Sequence, residues 1–437
     1  MTNRKQAGGL VAYVNARLLD PATGLDAPGA LLVNGEIIAD CGPGLFQGGV
    51  PSGMEVVDCK GLCLAPGLVD MRVQVREPGD EHKETLRSAG EAAVAGGITS
   101  MVCLPNTEPV IDDVASVEFV ARRARKIGLA KVYPYAAATK NLEGKELSEM
   151  GFLAEAGAVA FTDGLKPIKG AQTMRRALSY AATFGAIIVQ HPEEPSLAEN
   201  GVMNEGELAV RMGLSGIPAA AEAILLERDM RLVEITGGRY HAAHLSTAEG
   251  VAIIRKAKAK GLPVTAETAP PYMALNELAV SDYRTFAKLS PPLRSEADRQ
   301  AIVAGLKDGT IDAIASDHAP QDQDSKRLPF AQAEFGGIGL ETLLPITLEL
   351  VHNGHLSMLE ALKLVTCAPA DILGLPAGRL KVGSAADLVL FDPARGWVID
   401  PHAFRSKSKN SPFDGRPVQG MVLRTVVDGR TVFQRDA

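Results

Sequence analysis

Eight short runs rich in Val, Ile and Ala, each followed by a longer segment with mostly helical spacing, constrain this chain more than any other feature. They are GLVDMRVQV, ITSMVCLP, KVYPYAAAT, AVAFTD, AIIVQH, RYHAAHLS, PVTAETAP and IDAIASDH, and KETLRSAGEAAVAGG and RQAIVAGLKDGT typify the segments between them. Strand-length apolar runs alternating with helices imply an α/β fold of parallel strands joined by crossovers, and eight such units close into a (β/α)8 TIM barrel. Nearly every run ends in a polar residue: Arg76, Asn106, Lys140, Asp163, His191, His244, Glu267, and Asp317 with His318. Barrel enzymes build their sites at the carboxyl ends of the strands, so the pattern predicts one convergent pocket.

The two ends of the chain read differently. Residues 10–66 hold short β-like pieces with Gly/Pro turns (VAYVNARLLD, ALLVNGEIIADCGPG, MEVVDCKGLCLAPG), and residues 377–436 do the same (GRLKVGSAADLVLFDP, GMVLRTVVDGRTVF). Neither end alone can bury both faces of a sheet. Residues 1–66 and 375–437 are therefore predicted to pair into one small β-sandwich flanking a barrel of residues 67–374.

Composition narrows the partners. Lys plus Arg number 45 against 52 Asp plus Glu, for a net charge of -7, and aromatics are 5%, so nothing favours nucleic acid. The basic run Arg122, Arg123, Arg125, Lys126 reads as a solvated helix face. The start MTNRKQAGGLVAYVN lacks the apolar core of a signal peptide, and no apolar stretch approaches a membrane span, so a cytoplasmic location is expected. Five cysteines at scattered spacings fit neither a disulfide framework nor a paired-cysteine zinc site, and Cys59 and Cys63 read as small core residues.

Side chains two apart on a strand share a face, so a His-x-His pair ending the first barrel strand could grip one ion. In DMRVQVREPG those two positions are Arg72 and Gln74. His191, His244, Asp163 and Asp317 come from four other strand ends, and two imidazoles with two carboxylates suit a zinc-type ion. A lone strand histidine is more often a satisfied core residue, and joint placement is what singles this pair out. His241 reads as core, His82, His352, His355 and His402 as surface, and His318 as a residue that orients Asp317.

Taken together, PGLVDMRVQVREPGDEHKETL, AAVAGGITSMVCLPNTEPVID, HLST, SPPLRSEADRQAI, DGTIDAIASDHAPQ, GLETLLP and KSKNSPFDGRPVQG resemble the dihydroorotases of the amidohydrolase superfamily, in order and over almost the whole chain. The resemblance implies hydrolysis of the ring amide of dihydroorotate to N-carbamoyl-aspartate, and the reverse closure, in pyrimidine synthesis with one or two metal ions. It implies Asp163 as bridging carboxylate, His191 and His244 as second-metal ligands, and Asp317 as general acid/base. It places the substrate carboxylate against Arg76 and Asn106, a fork of donors suited to a planar anion.

The chain departs from that pattern at the substrate side as well as the metal side. Arg72 and Gln74 replace the first two ligands, Ser290 stands where an Asn precedes PPLR, and Gln321 replaces the His that ends DHAPH. PPY at 270–272 stands for PHH and alters the pocket wall. A guanidinium about 4 Å from a divalent ion, at an effective dielectric near 20, would meet roughly 8 kcal/mol of repulsion. The first metal position is therefore expected to be empty, with Arg72 pairing Asp317 or Asp163 in place of the ion.

The leading expectation is a homologue with a degraded site, binding at most one zinc ion or none. The resemblance implies aspartate carbamoyltransferase as its partner, and self-association into a homo-oligomer is also expected. The alternative is a working enzyme with one metal on Asp163, His191 and His244. A hydantoinase or allantoinase relative is disfavoured, because those use a carbamylated Lys where Asp163 stands, and Lys166 and Lys169 lie beyond that strand end. QDQDSKRLPFAQAEFGG, after the eighth run, reads as disorder in preference to a substrate lid.

Overall fold

The computed structural model describes residues 9–435. Residues 1–8, on which much of the reading of the chain start rests, lie outside the described residues. The first three barrel strands, Leu68–Val73, Ile98–Cys103 and Lys131–Pro134, pair in parallel. The fifth to eighth, Ile187–Gln190, Arg239–Ala242, Val264–Thr268 and Ala313–Ile314, form a second parallel set. The fourth run is reduced to bridges from Phe161 to Ala136 and Ile188, and a bridge from Val73 to His318 closes the ring. The α/β barrel expected from eight alternations is therefore the fold observed.

The helices form where their capping residues allow. Thr85 and Ser88 make a reciprocal capping box at the start of Leu86–Ala95, and Ser295 with Asp298 does so for Glu296–Lys307. Each box satisfies two backbone donors that the first turn leaves unpaired. Ala89, Ala92, Ala93, Ile302 and Leu306 then sit in one apolar cluster with barrel residues such as Ile98, Met101 and Ile314. On the helix Val114–Ile127, Arg122 is exposed and pairs with Glu118, while Arg123 reaches Glu77.

Both chain ends contribute to one sheet. Leu10–Asp20 pairs with Leu25–Asn34, Glu55–Asp58 and Cys63–Pro66, and Cys63–Pro66 pairs antiparallel with Leu388–Val398. Ile37–Gly42, paired with Leu25–Asn34, together with Pro417–Val427 and Arg430–Gln434 completes an eight-stranded sheet around its own core of Tyr13, Leu18, Leu31, Leu64, Leu388 and Val426. Gly67 joins this sheet to the barrel, and a Cβ there would lie 2.1 Å from the Thr99 side chain, so only glycine fits. All five cysteines are free, and Cys59 and Cys63 are buried. Among the described residues no helix is long and apolar enough to cross a membrane.

Asp70 on the first strand carries a testable cost. It is fully buried, one carboxylate oxygen accepts from the Ser316 and Arg72 backbone amides at 3.0 and 3.2 Å, and the other has no partner. Burial pushes its carboxyl up from 3.8 to about 7. The folded state holds this proton where the unfolded chain has released it, so the stability it contributes is complete below about pH 4 and is lost as pH rises through 7. Asp70→Asn is expected to flatten stability between pH 5 and 8 by on the order of 3 kcal/mol. Urea unfolding at the two pH values measures this, and equal slopes for both proteins would refute it.

Candidate active site

The mouth of the barrel is assembled from strand ends, as the placement of polar residues requires. Arg72 sits where the register between the first and second strands slips: Asp70 faces Met101 but Val73 faces Cys103, leaving one extra residue on the first strand. Such a bulge re-aims side chains. Arg72 and Gln74 accordingly turn to different neighbours. Arg72 Nε donates to Asp317 Oδ1 at 2.9 Å and its Nη2 to Gly164 O at 3.3 Å, whereas Gln74 Oε1 accepts from Asn106 Nδ2 at 3.2 Å.

From Asp317 a line of titratable groups crosses the mouth. Asp317 Oδ2 lies 3.1 Å from His244 Nδ1, His244 Nε2 lies 2.7 Å from His191 Nδ1, and His191 Nε2 lies 3.5 Å from Glu193 Oε2. Arg72, His191 and His244 are buried, and Asp317 keeps 15% of its side-chain surface. Burial raises the Asp317 carboxyl, but His244 and Arg72 outweigh it and hold the group well below the usual carboxylate range. Burial, reinforced by the Arg72 charge, lowers His244 to about 4 and leaves it neutral near pH 7. Asp317 at φ 49°, His244 at φ 36° and Arg76 at φ 62° all adopt left-handed backbone, a cost that concentrates at functional positions.

Asp163 faces elsewhere. Its two carboxylate oxygens accept from the Thr139 backbone amide at 2.9 Å and the Thr139 hydroxyl at 2.5 Å, and burial raises it to about 6 against those bonds. Lys140, the polar end of the third run, is exposed and pairs with Glu146. Arg76 donates to Pro320 O at 3.2 Å and has Asp80 at 3.9 Å, while Ser290 is half-buried beside Pro291. Gln321 donates through Nε2 to Phe335 O at 2.8 Å, and its Oε1 is buried without a partner.

The donors in this arrangement do not fit a metal ion. At the first position a guanidinium is bonded to the carboxylate that would face the ion. At the second, two imidazole nitrogens on one tetrahedral zinc at about 2.0–2.1 Å would stand roughly 3.3 Å apart. Here they are 2.7 Å apart and hydrogen-bonded to each other. Among the described residues no group of three or more His, Cys, Asp or Glu is placed to hold an ion.

Two readings of the sequence need correction. His318 does not orient Asp317: its Nδ1 accepts from Gly339 N at 3.2 Å and its Nε2 lies 3.6 Å from Glu84. The segment after the eighth strand is ordered, because two buried lysines peg it. Lys288 Nζ donates to Phe330 O, Ala331 O and Ala333 O at 2.9, 3.1 and 2.6 Å, with the Phe335 ring 4.6 Å away. Lys326, lowered to about 7 by burial and by Lys288, donates to Thr285 O and Glu334 O at 3.0 and 2.6 Å.

Sequence reasoning missed several neighbours. Glu193 follows His191 by two residues, and the HPEE word alone gave its proximity away. The ring of Tyr272, in PPY, meets His244 edge-on with centroids 6.5 Å apart, so this wall residue touches the line of titratable groups. Arg294, in SPPLR, is buried and ties Asn204, Ile217 O and Ser246 together. No period or spacing marks Thr139 as the partner of Asp163.

Residues 61–250 match the family described as Dihydro-orotase-like, and residues 306–433 match the Amidohydrolase family. A protein of Ehrlichia chaffeensis named dihydroorotase is 45% identical over 436 residues, 99% of this chain and 97% of its own. Its namesake in Anaplasma phagocytophilum is 47% identical over 429 residues, 98% of this chain and 96% of its own. Among solved structures, L-hydantoinase from Arthrobacter aurescens superposes with a TM-score of 0.86 at 26% identity, over 97% of this chain and 96% of that one. Dihydropyrimidinase from Brevibacillus agri gives 0.79 at 22% identity, over 97% and 95%, a likeness of fold.

Proposed function

Because the chain belongs to the dihydroorotase family of amidohydrolases, we propose that it is a pyrimidine-pathway homologue in which an ion-paired arginine has replaced the first metal ion, and that it serves as a non-catalytic partner of aspartate carbamoyltransferase. The Arg72 to Asp317 contact at 2.9 Å carries this reading. A general base must be free to take a proton from the attacking water. Asp317 instead accepts from a cation, and the histidine beside it is neutral and bonded to a second histidine. The guanidinium supplies the positive charge that keeps the buried carboxylate ionised, without generating a nucleophile.

When bound, a divalent ion in this family would polarise the amide carbonyl and activate water. Here the chain's own residues do other work. Arg72 holds Asp317 and the Gly164 carbonyl, Asn106 donates one hydrogen bond to Gln74, and Tyr272 walls His244 from the side. Arg76 and Asn106 remain as the donors for a substrate carboxylate, with Ser290 and Gln321 where stronger donors would be expected.

One observation favours a second reading. His191 and His244 still face each other at the ends of the fifth and sixth strands, so a single ion held with Asp163 would need the two rings to part and Asp163 to leave Thr139. The partner reading expects less than about 0.2 zinc per chain after dialysis and no ring opening of dihydroorotate above background. It also expects co-sedimentation with the carbamoyltransferase. Stoichiometric zinc with turnover abolished by His244→Ala would overturn it in favour of the one-metal enzyme.

A further inference from the structure

Two motif words that lie away from the strand ends, EHKE and KSKNSPFDG, converge beside the segment that follows the eighth strand. His82 from the first, Lys407 and Lys409 from the second, and Gln321 and Lys326 from that segment line a cavity of about 400 Å³. This volume is within the range of small-molecule sites.

Its lining is cationic and incompletely satisfied. The hydrogen bonds of all three ammonium groups go to backbone carbonyls and none to a carboxylate: Lys407 to Glu81 O at 2.7 Å, Lys409 to Phe404 O and Ser406 O at 2.8 and 2.7 Å, and Lys326 to Thr285 O and Glu334 O at 3.0 and 2.6 Å. Of the two acids on the wall, Asp322 uses Oδ1 to cap Ser325 and lies 3.8 Å from His82, and Asp414 is at the exposed rim. Gln321 is only 6% exposed, and its Oε1 has no partner. Two lysines without a carboxylate partner, Lys407 and Lys409, stand beside Lys326, whose charge burial disfavours, and with a buried unpaired acceptor nearby they are poorly accounted for by folding alone.

We propose that this cavity binds a compact polyanion, bearing phosphate or several carboxylates, and that its occupation tightens residues 321–336 over the barrel mouth. The Lys407 and Lys409 ammonium groups attract the charge. The link between the cavity and the segment runs through hydrogen bonds. Gln321 donates to Phe335 O, and Asn410 accepts from Gln321 N while donating to Ala319 O and Gly336 O at 3.2 and 3.0 Å, so the cavity wall and the segment move together. The proposal stands independently of whether the barrel mouth turns over substrate.

Calorimetric titration of the full chain at low ionic strength tests it, with pyrophosphate and citrate as separate probes. At least one probe should bind saturably, and the Lys407→Ala, Lys409→Ala pair, one exposed and one half-buried, should weaken that binding at least tenfold. Amide hydrogen exchange over 321–336 should slow in the bound wild-type protein. Binding of pyrophosphate alone assigns the site to phosphates, and binding of citrate alone to polycarboxylates. No saturable binding by either probe, unchanged affinity in the double variant, or unchanged exchange over 321–336 would overturn the proposal.

Discussion

Arg72→Met is expected to lower the unfolding free energy by about 3–5 kcal/mol, the cost of leaving a buried ionised partner uncompensated. The substitution keeps much of the side-chain volume at a site only 1% exposed, so the loss reports charge more than packing. Asp317 would retain only the neutral His244 and would regain the upward pull of burial. In the wild-type chain its depressed carboxyl contributes stability above the unfolded pKa of about 4, lost as pH falls through the folded value. The gap between the two proteins should therefore be widest above about pH 5 and narrow in acid. Adding Asp317→Asn should recover most of the loss, because removing both charges leaves nothing unpaired. Chemical denaturation of the four proteins of this cycle decides it: a single-variant cost under about 1 kcal/mol would mean that the pair does not hold the mouth together.

How far the sequence alone reaches can be judged at particular residues. The barrel was legible because each alternation is local: ITSMVCLP becomes Ile98–Cys103 and IDAIASDH ends in Asp317 and His318, and strand ends converge by topology whatever surrounds them. That Arg72 would seek a carboxylate also follows from charge, since a buried guanidinium requires one. Choosing Asp317 over Asp163 did not follow. It depends on the bulge between Asp70 and Val73 and on Thr139 having already taken both oxygens of Asp163. The segment 321–337 misled for a related reason. Its polar composition resembles disorder, but order comes from Lys288, more than thirty residues upstream, whose ammonium group gathers three carbonyls. Long-range hydrogen bonds to backbone leave no trace in local composition.

The same bulge makes the reverse substitution informative. Arg72→His with Gln74→His removes the guanidinium, releases Asp317 and offers two imidazoles where the family's first ion is expected. If the guanidinium stands about 4 Å from that position, its removal relieves up to roughly 8 kcal/mol of repulsion, and even a quarter of that is a factor of about thirty in affinity. Zinc retained after dialysis should rise by about one ion per chain over the wild-type level, as read by elemental analysis and competition with a chromophoric chelator. Ring opening of dihydroorotate need not follow, since Ser290 and Gln321 still replace the residues that the family resemblance implies for substrate contact. Zinc gained without turnover would locate the remaining deficit there. Unchanged zinc content would show that the register slip keeps positions 72 and 74 from facing one ion, or that Thr139 holds Asp163 away. A second change, Thr139→Ala, separates those two outcomes: it frees the Asp163 carboxylate oxygen bound by the hydroxyl and leaves the strand register alone.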